Sequence, residues 1–534
     1  MTAAVDRHDG HGLVPPDRRP RLEQGPRTAA EVLDAGVAAH PDREALVGRH
    51  GRFTYGSLDK DVNRAADGLR RLGVGPGDRV AACLPNDVDV VVAFLATMRL
   101  GAIWVGINRP LAPPEKSFLL RDSGAAVLLA DDETAAQVDG QRSELPALAH
   151  LVTVERWREL VAEADPEWGG SEIDPFAPAA IAYTSGTTGF PKGAVHSQHN
   201  LLLPGHVARG RGSYPESMVQ GVALPLTILN LMILGPLTAF QVGIKTVAMD
   251  RLDAVGMAEW IKQEKIATFS AVPAMIHDLL TNPAVDDDDL ASLVRPGVGG
   301  ADMPEAFRAL YRKRFGVGVA TGYGLTEAPT AVTVEDPEGP LLPGSAGKAL
   351  PHVEVVIVDG DGRVVPDGTV GEVCVRAATT GPFAGIYTPM LGYWNQPDAT
   401  AEALRDGMLH TGDLGMIGEG GNLFIKDRRT DLIIRGGANV YPAEVERVLH
   451  EDDRVAACAV VGSADERLGE RVVAFVEPAP GAASDDLAGE LRSRCEANLA
   501  RYKVPERFVF VDSFERTPMG KIRRTVLRER LSRE

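Results

Sequence analysis

An α/β fold with more than one domain is predicted from three features of the sequence. Strand-like and helix-like segments alternate through the first half of the chain. From about residue 340 that pattern gives way to short strands and turns. The length of 534 residues exceeds what one compact core can serve.

The elements follow in order. Residues 1–25 are rich in Pro, Arg, Asp and Gly and are expected to form a flexible tail. Leu58, Val62, Ala65, Ala66, Leu69 and Leu72 recur at helical spacing, with Ser57 placed to cap the start. Gly73 to Asp78 turns the chain into a strand, Arg79–Leu84; Asp87–Leu100 reads as a helix and Ile103–Ile107 as the next strand. Repeated strand–helix units imply a parallel sheet with helices on both faces. Val222–Ile244 carries no charge and is long enough to cross a bilayer. Pro225, Asn230, Gly235, Pro236 and Gln241 interrupt it and no aromatic belt flanks it, so a strand followed by a buried helix is expected, and no membrane span. Asp286–Asp289 reads as a solvated helix start. Farther on, Val353–Val358, the turn Asp359-Gly360-Asp361-Gly362 and Val370–Val375 predict a smaller β-rich subdomain. Asp427–Asp431 is a charged hinge candidate, and Ala443–His450 reads as a helix after it.

A formal charge of −18 argues against nonspecific binding to nucleic acid or to an anionic membrane. Cys83, Cys374, Cys458 and Cys495 lie far apart with no zinc-type spacing, as expected of reduced, mostly buried thiols. No charged-then-apolar leader opens the chain, and a cytoplasmic location is expected.

The most informative segment is Tyr-Thr-Ser-Gly-Thr-Thr-Gly-Phe-Pro-Lys-Gly at 183–193. Gly186 and Gly189 free the backbone so that successive N–H groups can converge on an anion. Thr184, Ser185, Thr187 and Thr188 add hydroxyl donors, and Lys192 adds a compact positive charge. This is a phosphate-binding design, although not a Walker A loop, because Phe190 and Pro191 separate the last glycine from the lysine. A polar surface turn is the plainer alternative; the length of the run, after apolar Ala179–Ala182, argues against it.

That loop resembles the signature of the adenylate-forming (AMP-binding) superfamily, which includes acyl-CoA synthetases, luciferases and peptide-synthetase adenylation domains. Further signatures stand in the expected order: Gly299-Gly300-Ala301, Gly322-Tyr323-Gly324-Leu325-Thr326-Glu327, His410-Thr411-Gly412-Asp413, Asp427-Arg428, Arg435-Gly436-Gly437 and Pro518-Met519-Gly520-Lys521. The likeness is strongest to acyl-CoA synthetases, among them aryl- and medium-chain acyl-CoA ligases. Beyond the tail at 1–25, it implies a large domain at 26–429 built of parallel α/β sheets plus the β-rich subdomain, and a small mobile α+β lid at 430–534.

The resemblance also implies roles. A carboxylate is a poor acyl donor; attack on the α-phosphorus of ATP makes an acyl adenylate whose leaving group is AMP. Residues Thr184, Ser185, Gly186, Thr187, Thr188 and Gly189 would grip the β- and γ-phosphates beside Lys192, and Glu327 would hold Mg²⁺. Tyr323 would lie against adenine, with Gly324, Gly300 and Ala301 nearby, and Thr326 would touch the α-phosphate. Asp413 would accept the ribose hydroxyls and Arg428 would reach the nucleotide from the hinge. Taken alone, Glu327 also fits a solvated surface charge, Tyr323 a core tyrosine, Asp413 a cap and Lys521 a solvated basic tail. By resemblance Lys521 spans carboxylate and phosphate in the adenylation transition state, joining Thr184, Lys192 and Glu327 as the catalytic set. Gly436 and Gly437 would then let the pantetheine arm of CoA approach for thioester formation. The glycines also fit a plain turn.

Two departures stand out. Where relatives often carry an aromatic–His pair after Leu-Pro-Leu, this chain has Thr227-Ile228, and the hinge position after Arg428-Arg429 is Thr430. The acyl pocket is expected to be lined by Ile228, Leu229, Met232, Gly299, Gly322 and Thr330, none of them charged, which suits an aryl or aliphatic group. The expected function is therefore an acid–CoA ligase using ATP, Mg²⁺ and CoA, acting as a monomer or homodimer. Alternatives are another acceptor (a carrier protein or an amine), nitrite as the activated acid, or a non-enzymatic nucleotide-binding regulator.

Overall fold

A computed structural model describes residues 10–17, 19–170, 172–185, 190–212, 214–298, 305–320, 322–336, 342, 344–428, 432–479, 486–515 and 522–532. Two large sheets form the first part of the chain. One has seven strands in the order Gly392–Tyr393, Pro191–Ser197, Pro178–Ser185, Ile103–Gly106, Arg79–Cys83, Val127–Ala130 and His150–Thr153. The last five are parallel, and the first two are added antiparallel at one edge. The other has six strands: Gly297–Val298, Thr268–Ala271, Val219–Val222, Lys245–Ala248, Glu44–Gly48 and Gly51–Thr54. Five of these are parallel and the sixth closes a hairpin. Strands such as Val127–Ala130 are buried along their whole length, as expected of a sheet covered on both faces.

The helices follow from the local sequence. Tyr55–Arg71 buries Leu58, Val62, Ala65, Ala66 and Leu69 along one stripe. Its cap is Thr54 rather than Ser57: the Thr54 side chain accepts from the Ser57 N–H, and Ser57 reciprocates as the third helical residue of a capping box. Val88–Arg99, capped by Asp87, is buried all round. The uncharged run behaves as expected: strand Val219–Val222 leads into a buried helical stretch, Leu229–Met232, Ile233–Leu237 and Thr238–Val242. Its middle is a π-turn, because Pro236 has no N–H to keep the α-helical ladder. No helix among the described residues is long and apolar enough to cross a membrane.

Asp286–Asp289 departs from expectation. It forms a tight turn, with Asp289 N–H donating to the carbonyl of Asp286, and Lys262 pairs with Asp289 at 2.8 Å. The Asp289 carboxylate accepts from the Asp286 N–H at 3.0 Å as well as from Lys262, which closes the turn. At the amino terminus, residues 1–9 lie outside the described residues, while Leu13 and Leu22 are buried. Val14 N–H bonds to Leu391 and His11 stacks on Trp394, so this stretch is held against the seven-stranded sheet.

The β-rich part comprises a three-stranded sheet, Gly322–Leu325, Ala328–Val334 and Lys348–Ala349, and a five-stranded one. The latter contains Val353–Val358, Gly371–Ala377, Met408–Ile417, Leu404–Arg405 and Leu423–Arg428, all antiparallel. The small carboxy-terminal domain has its own five-stranded sheet and a core of Ile433, Val440, Val445, Val460, Val472 and Leu491 among others. The four cysteines are free and buried.

The two large sheets bring their carboxyl ends together. A Cβ added to Gly106, at the end of Ile103–Gly106, would lie 1.8 Å from the carbonyl oxygen of Thr227, in the segment that follows Val219–Val222. Only glycine permits that approach. Gly106→Ala should therefore destabilise the fold by about 2 kcal/mol, read as a lower urea midpoint with unchanged slope.

Candidate active site

The carboxyl ends of parallel strands are where open α/β sheets hold ligands, and Thr184 and Ser185 end one such strand, Pro178–Ser185. Pro178–Ser185 and Pro191–Ser197 flank the phosphate-type loop and pair antiparallel, setting Thr184 opposite Lys192. The Thr184 hydroxyl donates to the Lys192 carbonyl at 3.4 Å. Gly186, Thr187, Thr188 and Gly189 lie outside the described residues, as do Gly299, Gly300, Ala301, Thr430 and Lys521; of Ser185, Thr330 and Arg428 only the backbone is described.

Lys192 Nζ sits 5.1 Å from the centroid of the Tyr393 ring, a cation–π contact. The Tyr393 hydroxyl donates to Glu327 Oε1 at 2.7 Å. Burial pushes the Glu327 carboxyl above its ordinary pKa; the Tyr393 hydrogen bond and the Lys192 charge pull the other way, while Asp413 adds to the rise. Lys192, Tyr393, Glu327 and Asp413 thus share one locus, although 66 residues separate Glu327 from Tyr393. The backbone here is pinned by Met390 N–H to the Glu327 carbonyl and by His196 Nε2–H to the Thr326 carbonyl at 2.9 Å. Burial lowers the His196 pKa to about 4, so it serves as a neutral donor.

Tyr323 is buried and donates from its hydroxyl to Asp413 Oδ2 at 2.6 Å. Gly324 pairs with Ala331 across the adjoining hairpin, and Gly322 opens it, exposed. Asp413 in turn pairs across the sheet with Arg428. The turn before it is braced: Thr411 donates to Val373 O, Asp413 N–H to Thr411 Oγ1, and Gly412 N–H to Glu372 Oε1. Glu372, Cys374 and His410 place three potential metal-ligand atoms within 4.8 Å of one another. The Glu372 carboxylate is already engaged by Gly412, His410 and the Arg405 guanidinium, so we read the trio as the brace of Asp413.

For the acyl pocket the placement is mixed. Ile228 is 40% exposed at the meeting point of the two sheets, whereas Leu229 and Met232 are packed into the main hydrophobic core. The short helix Leu229–Met232 turns these two inward because its neighbours there are Leu226, Ile233 and Leu237. The segment ahead of it is held by Asn86, which donates to the carbonyls of Ala223 and Leu224 and accepts from Leu226 N–H. Gly436 and Gly437 both take positive φ, +58° and +82°, as a two-residue hairpin turn between Ile433–Arg435 and Ala438–Val440 requires. A Cβ on Gly437 would meet Val272 Cγ1 at 2.1 Å, so that glycine also permits a close approach to the end of strand Thr268–Ala271.

Tyr393, Asn86 and His196 escaped the sequence reading. Gly392-Tyr393-Trp394 offers an aromatic pair as its one cue, and only the strand pairing of Gly392–Tyr393 with Pro191–Ser197 carries Tyr393 to Glu327. A surface concavity of about 450 Å³ lined by Arg43, Glu44, Glu216, Met218 and Lys245 lies at the opposite, amino-terminal ends of the strands. Tyr393→Phe removes the donor to a desolvated carboxylate and keeps the ring face for Lys192. It should cost about 1–3 kcal/mol in unfolding free energy, and pairing it with Glu327→Gln should recover part of that loss in a double-mutant cycle.

Comparisons with known proteins identify the family. The family model described as AMP-binding enzyme matches residues 33–394, and that of the AMP-binding enzyme C-terminal domain matches 444–521. The chain is 35% identical to a fatty acid–[acyl-carrier-protein] ligase of Streptomyces coeruleorubidus, over 94% of this chain and 96% of that one. It is 34% identical to a long-chain-fatty-acid–CoA ligase of Mycobacterium tuberculosis, over 90% and 93%. An amide bond synthetase of Marinactinospora thermotolerans superposes with a TM-score of 0.82 at 30% identity, over 94% of this chain and 99% of that one. Family models and relatives across nearly the whole length leave one assignment: this chain belongs to the AMP-binding enzyme family and is an adenylate-forming acid ligase.

Proposed function

We propose that the enzyme is an acid–CoA ligase that makes an acyl-CoA through an acyl-AMP, with residues 26–429 as the adenylating domain and 430–534 as a movable lid. One observation carries the choice of a thiol acceptor. The Gly436-Gly437 turn lies against Val272, at the carboxyl end of the sheet whose neighbouring strand leads to Ile228. Two adjacent glycines of positive φ carry no side chain into this edge, so a slender pantetheine arm could approach the turn closely.

In this reading the residues at 184–189 and Lys192 hold the triphosphate, Tyr323 packs on adenine, Thr326 meets the α-phosphate, and Asp413 with Arg428 holds the ribose. The Glu327 carboxyl suits Mg²⁺: burial disfavours its charge, and a cation would relieve that cost. The bound ion would neutralise charge on the triphosphate. Lys521 stabilises the negative charge gathered between carboxylate and α-phosphate as the acyl–oxygen–phosphorus bond forms and pyrophosphate leaves. A thiolate then attacks the acyl carbon and AMP leaves with the bonding electrons.

A nitrogen or carrier-protein acceptor is the second reading. It is favoured by Thr227-Ile228 in place of an aromatic–His pair, and by relatives named as a carrier-protein ligase and an amide bond synthetase. The deciding experiment measures pyrophosphate and AMP release over a panel of fatty and aryl acids, with CoA, a carrier protein or an amine in separate wells. AMP release that depends on both acid and CoA is the expected result; release that ignores CoA but needs an amine or carrier transfers the function to that acceptor. Lys521→Ala should lower acid-dependent pyrophosphate release by about 10²–10³-fold and spare thioester formation from supplied acyl-AMP. Gly437→Ala should do the reverse, lowering transfer on the order of a hundredfold.

A further inference from the structure

The small domain is held to the large one by a buried charge cluster on the helix Pro113–Ser123. Glu115 on that helix accepts from Lys503 Nζ at 2.6 Å and from the Ala500 backbone N–H at 2.7 Å, both from the small domain. The carboxylate also accepts from Ala112 N–H at 2.8 Å, so it caps its own helix while gripping the other domain. Lys503 lies 2.8 Å from Glu444 as well, and the lysine, Glu115 and Glu444 side chains are 7%, 13% and 5% exposed. Burial works against the Lys503 charge, but the two carboxylates and Tyr502 hold its pKa above the ordinary value. The ammonium therefore stays charged.

One turn along the same helix face, Phe118 stacks on Phe190 with centroids 5.3 Å apart. The Arg447 guanidinium, from the small domain, covers the same Phe190 ring at 4.7 Å. Phe190 directly follows the loop at 184–189. One helix thus presents Glu115 to Lys503 and Phe118 to the end of that loop, and both contacts reach the small domain. In this docked arrangement Gly437 sits on Val272.

We propose that Glu115 is a positioning residue for the transfer step: through Lys503, and with the Phe118–Phe190–Arg447 stack, it holds the small domain in the orientation that seats the Gly436-Gly437 turn. This rests on the two-step ligase reading above. The chemistry of the cluster makes the latch reversible. Opening a buried ion pair ordinarily strands a charge. Lys503 keeps Glu444, a partner within its own domain, when the domains part, and Glu115 returns to solvent at the end of its helix. Release therefore costs far less than breaking an isolated buried pair.

The test compares wild type with Glu115→Gln, which keeps shape and removes charge, and with Arg447→Ala, which removes the clasp on Phe190. Glu155→Cys and Asp453→Cys, on exposed sites of the two domains, carry spin labels for an interdomain distance distribution; the four native cysteines are buried. Both variants should broaden that distribution. Both should slow transfer from supplied acyl-AMP by about tenfold and leave acid-dependent pyrophosphate release within about threefold. An unchanged distribution overturns the latch. A broadened one with both half-reactions falling equally overturns the positioning role. Absence of adenylation by the wild-type enzyme with any acid would overturn the ligase reading and with it the transfer role, while the distance distribution still decides the latch.

Discussion

The carboxyl ends of the two large sheets meet where Gly106 faces the Thr227 carbonyl, and the geometry of the site depends on that contact. Parallel strands aim their carboxyl ends the same way, so each sheet gathers its loops on one edge. The loop after Pro178–Ser185 comes from one edge; Ile228 and Val272 come from the other. A side chain at 106 would hold these edges apart. Asn86 completes the junction by binding the backbone of residues 223–226 from the first sheet's side.

Within the junction, the charged groups are arranged in supported pairs. Tyr393 joins Glu327 to Lys192, using its hydroxyl for one and its ring face for the other. Tyr323 holds Asp413 from one side, while Glu372 and Thr411 brace its turn from the other. A desolvated carboxylate is costly unless something offsets its charge. At Glu327 the Tyr393 hydroxyl and the Lys192 charge supply part of that offset, and burial still holds the carboxyl above its ordinary pKa.

The small domain is bound by a different kind of contact. Its core is built from residues of its own, and its contacts with the large domain among the described residues include Glu115–Lys503, Phe190–Arg447, Arg467–Asp278 and the glycine turn on Val272. A few polar and aromatic contacts around a self-contained core can be exchanged without unfolding either partner. The same helix, Pro113–Ser123, meets both Phe190 and the small domain.

Much of this was determined by the sequence alone. Alternating segments predicted the parallel sheets because periodicity is a local property, and the ordered motifs marked the family because each needs a particular backbone: glycines in loops, a carboxylate after a Gly-rich strand, a basic tail. The interruptions in Val222–Ile244 likewise predicted a broken, buried helical stretch, since a proline's missing N–H acts wherever it stands. What the tertiary structure decided were matters of distance and direction. Tyr393 reaches Glu327 across 66 residues, Lys503 reaches Glu115 across 388, and no local pattern encodes either meeting. Ile228 faces outward while Leu229 and Met232 face the core because packing, not hydrophobicity, selects the side of a short helix. Asp286–Asp289 is a turn closed by the Asp289 carboxylate, which also meets Lys262 from a separate helix, a partner that no local pattern reveals. Residue types determine which chemistry is available, whereas the fold decides which of those groups share a low-dielectric space and can therefore act on one another.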